Sequence, residues 1–380
     1  MTIVEGLPAG MGLCAEDIDK DLLRRQTGYG RGGRMDIEND RVEILSGVRF
    51  GKPLGSPVAL LLKNLDWENW RKEMSTEGDG FGVERLETVR PGHSDLSGAL
   101  KYAFHDVRNV IERASARETA ARVMAGATAK RLLYILGVEL ISHVISIGPF
   151  RVSKDLEGNP EAAKSAESGL LRMADSVTQA KALKWIDQLR EAGSTAGGVV
   201  EVIATGLPPG LGSYVAWDRK LSARIGMALM SINAIKAVEV GDGATLAAMP
   251  GSEALDEIFS GPSDANLLLG NRRLPFHRLT NRFGGLEGGM TNGAPLIVRA
   301  AMKPIPTQSK PLRAVTLGSW EQTLAHKERG DICAVPAAAV VAEAMVAIVL
   351  ADAFLEKFGG DEVGEIIYNY SNYLERICER

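Results

Sequence analysis

Several residue types are scarce in this chain of 380 residues, and each scarcity excludes a class of function. Only three cysteines occur, Cys14, Cys333 and Cys378, with no Cys-x-x-Cys pair, so neither a disulfide framework nor a metal-ligand pattern is expected. So sparse and odd a set of thiols suits a reducing cytoplasm. His-Glu-x-x-His and Gly-x-Ser-x-Gly are both absent, which removes the zincin and serine-hydrolase readings. Aromatic residues make up 6% of the chain and do not interleave with basic ones, and the net charge is −4. That balance disfavours an RNA-binding module, so no nucleic-acid partner is expected. The most apolar stretch, Ala334 to Ala353, is broken by Glu343 and Asp352 and contains Pro336. It reads as a buried, alanine-rich helix, so no membrane partner is expected either. Nothing ahead of Glu5 has the charged and apolar regions of a signal peptide.

What remains is an ordinary globular composition, 45% apolar and 24% charged, with 42 glycines that imply many tight turns. Start and stop signals predict helices over Glu16–Gln26, Ser115–Leu136, Trp217–Ala234 and Pro336–Phe358. The last has proline in its first turn and Gly359-Gly360 just beyond its end. Alternation predicts strands at Arg41–Leu45, Val58–Leu62, Val138–Ile147, Gly198–Ala204 and Pro295–Ala301. Without strict βαβ alternation or a linker, these elements point to one α+β domain spanning residues 1–380. Gly6-Leu7-Pro8-Ala9-Gly10-Met11-Gly12 returns as Gly206-Leu207-Pro208-Pro209-Gly210-Leu211-Gly212. The echo is either a common turn used twice or the trace of two related halves.

The chemistry concentrates between Arg90 and Glu118. His93 lies in a Gly/Pro turn among Arg90, Lys101, Arg108, Arg113 and Arg117. Ser115 and Glu118 have the spacing of a capping box, and a helix start flanked by arginines suits a multiply charged anion. His93 is either a satisfied turn histidine or a proton carrier for that anion. His105, His143, His277 and His326 lack such neighbours in the sequence and read as structural or surface.

Gly28-Tyr29-Gly30-Arg31-Gly32-Gly33 matches Gly-x-Gly-x-x-Gly, yet it follows a helix and leads into a strand, the reverse of a dinucleotide site. It reads instead as a solvated basic turn or as a flexible anion loop carrying Arg25, Arg31 and Arg34. Gly47 to Lys52 is one residue short of a phosphate loop and has Pro53 where a magnesium-binding hydroxyl belongs. Lys303-Pro304-Ile305-Pro306-Thr307 is a stiff loop ending in a hydroxyl, suited to a cofactor edge or its phosphate. Arg329 and Asp331 are either a local ion pair or a cation and a carboxylate at one site.

Together these segments resemble the chorismate synthase family along nearly the whole chain. The resemblance is carried by Arg24-Arg25 with Gly28–Met35, Arg90-Pro91-Gly92-His93, Glu112–Thr119, Ile232-Asn233-Ala234 with Lys236–Glu239, Gly285–Met290, Lys303–Thr307 and Arg329–Pro336. It implies a β-α-β sandwich of two related halves, usually a homotetramer. The implied reaction is anti elimination of phosphate from 5-enolpyruvylshikimate 3-phosphate to give chorismate, in the shikimate pathway of aromatic amino-acid biosynthesis, with reduced FMN required. By the same resemblance Arg25, Arg31, Arg34, Arg90 and Arg117 clamp the substrate, and His93 and Asp331 are catalytic. Arg113, Ala114, Ser115, Asn233, Ala234, Gly288, Lys303, Pro304, Ile305, Pro306, Thr307 and Arg329 contact FMN. NADPH is a possible flavin reductant, with Arg25 and Arg31 as its NADP contacts.

The family carries Gly-Glu-Ser-His-Gly just before its first Gly-Leu-Pro turn, whereas this chain starts at Met1-Thr2-Ile3-Val4-Glu5. A late start or a trimmed form is the expectation. The alternative is a catalytically impaired ligand-binding or assembly subunit lacking one acid–base histidine.

Overall fold

The computed structural model describes residues 1–33, 39–262, 264, 266–328 and 330–378. Strands β1 (Thr2–Val4), β2 (Val42–Ser46) and β3 (Val58–Leu62) form an antiparallel sheet in the order β1-β3-β2, with Ile3 opposite Ala59 and Ile44 opposite Leu60. A second antiparallel sheet holds β4 (Glu139–Ile147), β5 (Phe150–Arg151), β6 (Gly198–Thr205), β7 (Ile235–Val240) and β8 (Leu296–Met302), in the order β5-β4-β6-β8-β7. Most of β6 and β8 is buried on both faces, which explains their near-continuous β-branched and alanine content.

Helices fill the space between the sheets. Helix α1 (Ala15–Gln26) packs on β2 and α4 (Thr119–Ile135) on β1, while α8 (Val335–Phe358) lies against β4 and β6. The three helices also pack on one another, making a sheet–helix–sheet sandwich of α+β type. Helices α2 (Asp95–Tyr102), α3 (Arg108–Ala114), α5 (Pro160–Ala166), α6 (Ser176–Ala192), α7 (Leu221–Met230) and α9 (Val363–Cys378) complete the fold. Among the described residues α8 is the one helix long and apolar enough to cross a membrane, but it is the central helix of the core. Glu343, halfway along it, is only 1% exposed and accepts hydrogen bonds from Arg24, Lys130 and Ser142.

The repeated Gly-Leu-Pro segment folds alike in both places. Gly6 and Gly206 have φ of +79° and +80°, and Gly10 and Gly210 have +84° and +85°. Leu7 and Leu207, like Met11 and Leu211, are buried after β1 and β6 respectively. Glycine is required there because those φ values are costly for other residues.

Two helix predictions need correction. The helix expected over Ser115–Leu136 begins at Thr119; Ser115 is extended and its hydroxyl accepts from the Arg117 N–H, followed by one 3-10 turn. That local hydrogen bond competes with helix formation and separates α3 from α4. The expected capping box does not form, because the Glu118 carboxylate turns to Arg122 one helical turn on. Arg113 therefore sits in the last turn of α3 rather than at a helix start. The helix expected over Trp217–Ala234 is confined to α7, because Lys220 is extended before it and Ala234 adopts φ +67° beyond it.

Candidate active site

The turn at residues 90–95 holds the densest polar contacts. Arg90 is 5% exposed and Asp95, the first residue of α2, is fully buried. Asp95 Oδ2 accepts from the Arg90 backbone N–H at 3.0 Å and from Nε at 2.8 Å, while Oδ1 accepts from Nη2 at 3.1 Å and lies 2.5 Å from His93 Nδ1. Arg90 Nη1 donates to Thr307 Oγ1 at 2.9 Å and to Glu328 Oε2 at 3.2 Å. Burial pushes the Asp95 carboxyl upward, but the hydrogen bonds and charges of His93 and Arg90 outweigh it and hold the group well below the usual carboxylate range. Glu328 is likewise lowered, first by its contact with His326 and then by the charge of Arg90, against the effect of burial. His326, expected to lack functional neighbours, thus stands directly behind this group: its Nε2 is 3.5 Å from Glu328 Oε1.

A second group surrounds Asp40. Its carboxylate accepts from Arg25 at 3.1 Å and from Arg117 at 2.7 Å. Burial lowers the Arg25 guanidinium; Asp40 opposes the shift, and the charges of Arg31 and Arg117 deepen it. Arg25 Nε is buried with no hydrogen-bond partner among the described residues. Arg31 pairs with Asp331 at 2.8 Å, and Asp331 also accepts from the Gly32 N–H at 2.7 Å. The glycine-rich loop is clamped rather than loose: Gly30 O accepts from the N–H groups of Ile332 and Cys333. A Cβ on Gly32 would lie 2.7 Å from Gly330 O, so only glycine permits the approach that brings Arg31 to Asp331. Arg34 and Arg329 lie outside the described residues.

Short contacts link the two groups into a closed ring. Asn233 Nδ2 donates to Ala114 O at 3.2 Å, next to Ser115 and Arg117. The Lys303 N–H donates to Ala234 O at 3.0 Å. Lys303 Nζ would be 3.8 Å from a Cβ on Gly92, beside His93, and Pro306 Cβ would be 3.9 Å away. Thr195 holds the Ile305 carbonyl at 2.7 Å, and Thr307 Cβ would lie 3.3 Å from a Cβ on Gly330, next to Asp331. Stretches near residues 25–32, 40, 90–95, 114–117, 233–234, 303–307, 328 and 330–331 thereby meet. Gly288 forms the turn of a hairpin and lines an open cleft of about 440 Å³ with Leu255, Ile258 and Phe283.

Within the ring several groups await a partner. Among the described residues Arg113 is exposed without an ion pair, and Asn233 Oδ1 is a buried acceptor with no donor. Lys303 is lowered by burial and by the nearby Lys236, and it makes no ion pair among the described residues. Such donors, cations and one orphaned acceptor fit a phosphate-bearing ring compound with an N–H edge. The sequence did not single out Asp40, Asp95 or Glu328. Asp95 alone had a visible signal, its place two residues after His93.

Comparison with known proteins bears on this geometry. The family profile for chorismate synthase matches residues 1–355. A chorismate synthase of Geotalea daltonii is 52% identical over 377 residues, covering 99% of this chain and 95% of that protein. One from Trichlorobacter lovleyi is 53% identical over 373 residues, covering 98% and 94%. A solved structure described as a crystal structure of chorismate synthase superimposes with a TM-score of 0.78 at 41% identity, covering all of this chain and 94% of that one.

Proposed function

The chain belongs to the chorismate synthase family, and on that premise we propose which of its residues do the work. Its activity is that of a carbon–oxygen lyase, eliminating phosphate from 5-enolpyruvylshikimate 3-phosphate to give chorismate in aromatic amino-acid biosynthesis. Reduced flavin is the family's cofactor.

The observation that carries the assignment is the closed ring of contacts, which gathers arginines, a histidine and a carboxylate from distant parts of the chain. The substrate is an anion with a phosphate and two carboxylates. Arg25 and Arg117, held by Asp40, and Arg31, held by Asp331, would bind those groups bidentately. Arg34 belongs to the same proposed set. Arg90 donates to Asp95, Thr307 and Glu328, so it anchors the turn and reaches substrate only where Glu328 yields. His93 gives a proton to the departing phosphate. Asp331, fixed by Arg31 and the Gly32 N–H, is the second proton-handling group.

FMN is the flavin we assign. Arg113, Lys303 and Arg329 would take its phosphate or ring oxygens, Asn233 Oδ1 would accept from a ring N–H, and the stiff Pro304–Pro306 backbone would lie along its edge. Reduced flavin, when bound, supplies the electron that this redox-neutral elimination borrows and returns. Ala114, Ser115, Ala234 and Thr307 hold these contacts in register.

NADPH as the flavin's reductant would use Arg25 and Arg31, and so would compete with substrate. A homotetramer is proposed; Tyr214, Val215, Trp217 and Met227, all at least 70% exposed around the start of α7, are apolar surface for a neighbouring subunit. A sequence with only three cysteines and no Cys-x-x-Cys pair favours the cytoplasm.

The test is an anaerobic assay with 5-enolpyruvylshikimate 3-phosphate and chemically reduced FMN, following chorismate and phosphate together. Turnover that disappears when flavin stays oxidised is expected. Binding of both ligands without turnover would leave only a ligand-binding subunit, and no binding of either would overturn the site.

A further inference from the structure

Both oxygens of Asp95 are committed. Oδ2 accepts two N–H groups of Arg90, and Oδ1 accepts a third while lying 2.5 Å from His93 Nδ1. A carboxylate and a bare imidazole nitrogen would repel at that separation, so Nδ1 carries the hydrogen. Arg90 Nη2, 3.0 Å from the same nitrogen, therefore cannot donate to it and serves Asp95 instead. The nitrogen left for chemistry is Nε2, on a side chain 17% exposed. Its neighbour is awkward for a proton donor, because Arg90 Nη2 is also only 3.4 Å from Nε2. A protonated His93 beside Arg90 makes two positive charges, and the two carboxylates touching Arg90 are Asp95 and Glu328. Beyond these, the titratable groups near the turn are Lys303 beside Gly92 and His326 behind Glu328.

We propose that Asp95 and Glu328 are positioning residues for His93. Asp95 fixes the Nδ1–H form so that Nε2 faces the departing group, and Glu328 offsets the charge of Arg90 so that the ring can carry its second proton. In the step itself the Nε2 proton passes to a phosphate oxygen as the carbon–oxygen bond breaks. Overall the bonding pair leaves with the phosphate, the proton of the ring C–H bond passes to the site's second proton-handling group while its pair becomes the new double bond, and His93 is left neutral with Nδ1–H. The inference rests on the reading of His93 as the proton donor.

The test compares Asp95→Asn, Glu328→Gln and His93→Gln as full chains with reduced FMN under anaerobic conditions. It pairs steady-state kinetics with the ¹⁵N spectrum of histidine-labelled protein, the His93 signal being identified by its loss in His93→Gln. An asparagine cannot offer acceptors on both sides; with its oxygen kept on the two Arg90 N–H groups that Oδ2 serves, its amide turns toward Nδ1. Asp95→Asn is expected to lower kcat about 10²-fold, within the usual range for a general acid, with KM changed less than about threefold. Its His93 signal should move from the Nδ1–H to the Nε2–H form. Glu328→Gln is expected to lower kcat about tenfold at similar KM, with Glu328→Asp restoring part of it. Wild-type kcat or an unchanged tautomer in folded Asp95→Asn would overturn the role of Asp95. A lower KM in Glu328→Gln would show that residue to be a stand-in for substrate and overturn its role. Should Asp95→Asn not fold, Glu328→Gln decides. Full activity in His93→Gln would sink the underlying reading instead.

Discussion

Arg24 and Arg25 are neighbours in the last turn of α1, yet they live in opposite electrostatic worlds. Arg24 donates to Asp21, Glu167 and Glu343, and the same carboxylates take Lys130 and Arg172, a balance of three cations and three anions. Burial alone would lower Arg24, but Glu343, Glu167 and Asp21 outweigh it and push it up. Arg25 shares Asp40 with Arg117, is lowered by burial and by Arg31 and Arg117, and keeps a buried Nε without a partner among the described residues. One cluster matches three cations to three carboxylates, although Arg172 Nε finds no partner among the described residues, and it holds helices α1, α4 and α8 together. The other keeps donors in reserve, which costs stability and suits an anionic ligand.

Four changes would break or sharpen that contrast. The largest effect is expected from Glu343→Ala, which strands Arg24 and Lys130 in the core. Removing one partner of a buried ion pair costs about 3–5 kcal/mol, to be read from urea unfolding. Next is Arg25→Ala, expected to lower kcat/KM about 10–100-fold, the worth of about 1.5–3 kcal/mol for a hydrogen bond to a charged group. Its unfolding free energy should shift by less than about 1 kcal/mol, because Asp40 keeps Arg117. A loss of stability as large as that of Glu343→Ala would erase the distinction between the clusters.

The third effect is acid sensitivity. Burial raises the Glu167 carboxyl, but Arg24 and Arg172 outweigh it and bring it down to about 2. A depressed carboxylate stabilises the fold above its ordinary pKa and loses that contribution as pH falls toward the folded value. Between roughly pH 4.5 and pH 2, roughly 1–2 kcal/mol should therefore be lost, allowing for solvent screening of this half-exposed group. Glu167→Gln should flatten the stability profile across that window. Smallest is Ser142→Ala, which removes one hydrogen bond to Glu343 and should cost about 1 kcal/mol in melting experiments without altering turnover.

The difference between the clusters also explains what the sequence revealed. Helix α8 and strands β4, β6 and β8 of the larger sheet were legible because apolar periodicity and β-branched runs are local signals, whereas β5 and β7 were not predicted. Arg90-Pro-Gly-His93 and the Lys303–Thr307 loop were legible as motifs. The carboxylates were not: Asp40 meets Arg117 across 77 residues and Glu328 meets Arg90 across 238, and no local pattern encodes such pairings. The break at Ser115 was missed because its hydroxyl serves Arg117 where a capping box promised a longer helix. The glycines of the Arg31 loop suggested looseness, whereas tertiary contact with Gly330 uses them for close approach.

The ring around His93 has a consequence for how the molecule comes into being. Its members enter the chain from Arg25 to Asp331, so nearly the whole polypeptide must be made before the last link can close. Contacts of such long sequence separation form slowly, because the closure entropy of each loop is spent before the contact rewards it. On a ribosome, secondary structure and much of the core can form while the ring stays open. Ligand-binding competence is thus a late event in the life of each molecule, and a chain released before Asp331 would fold in part yet lack the Arg31–Asp331 pair.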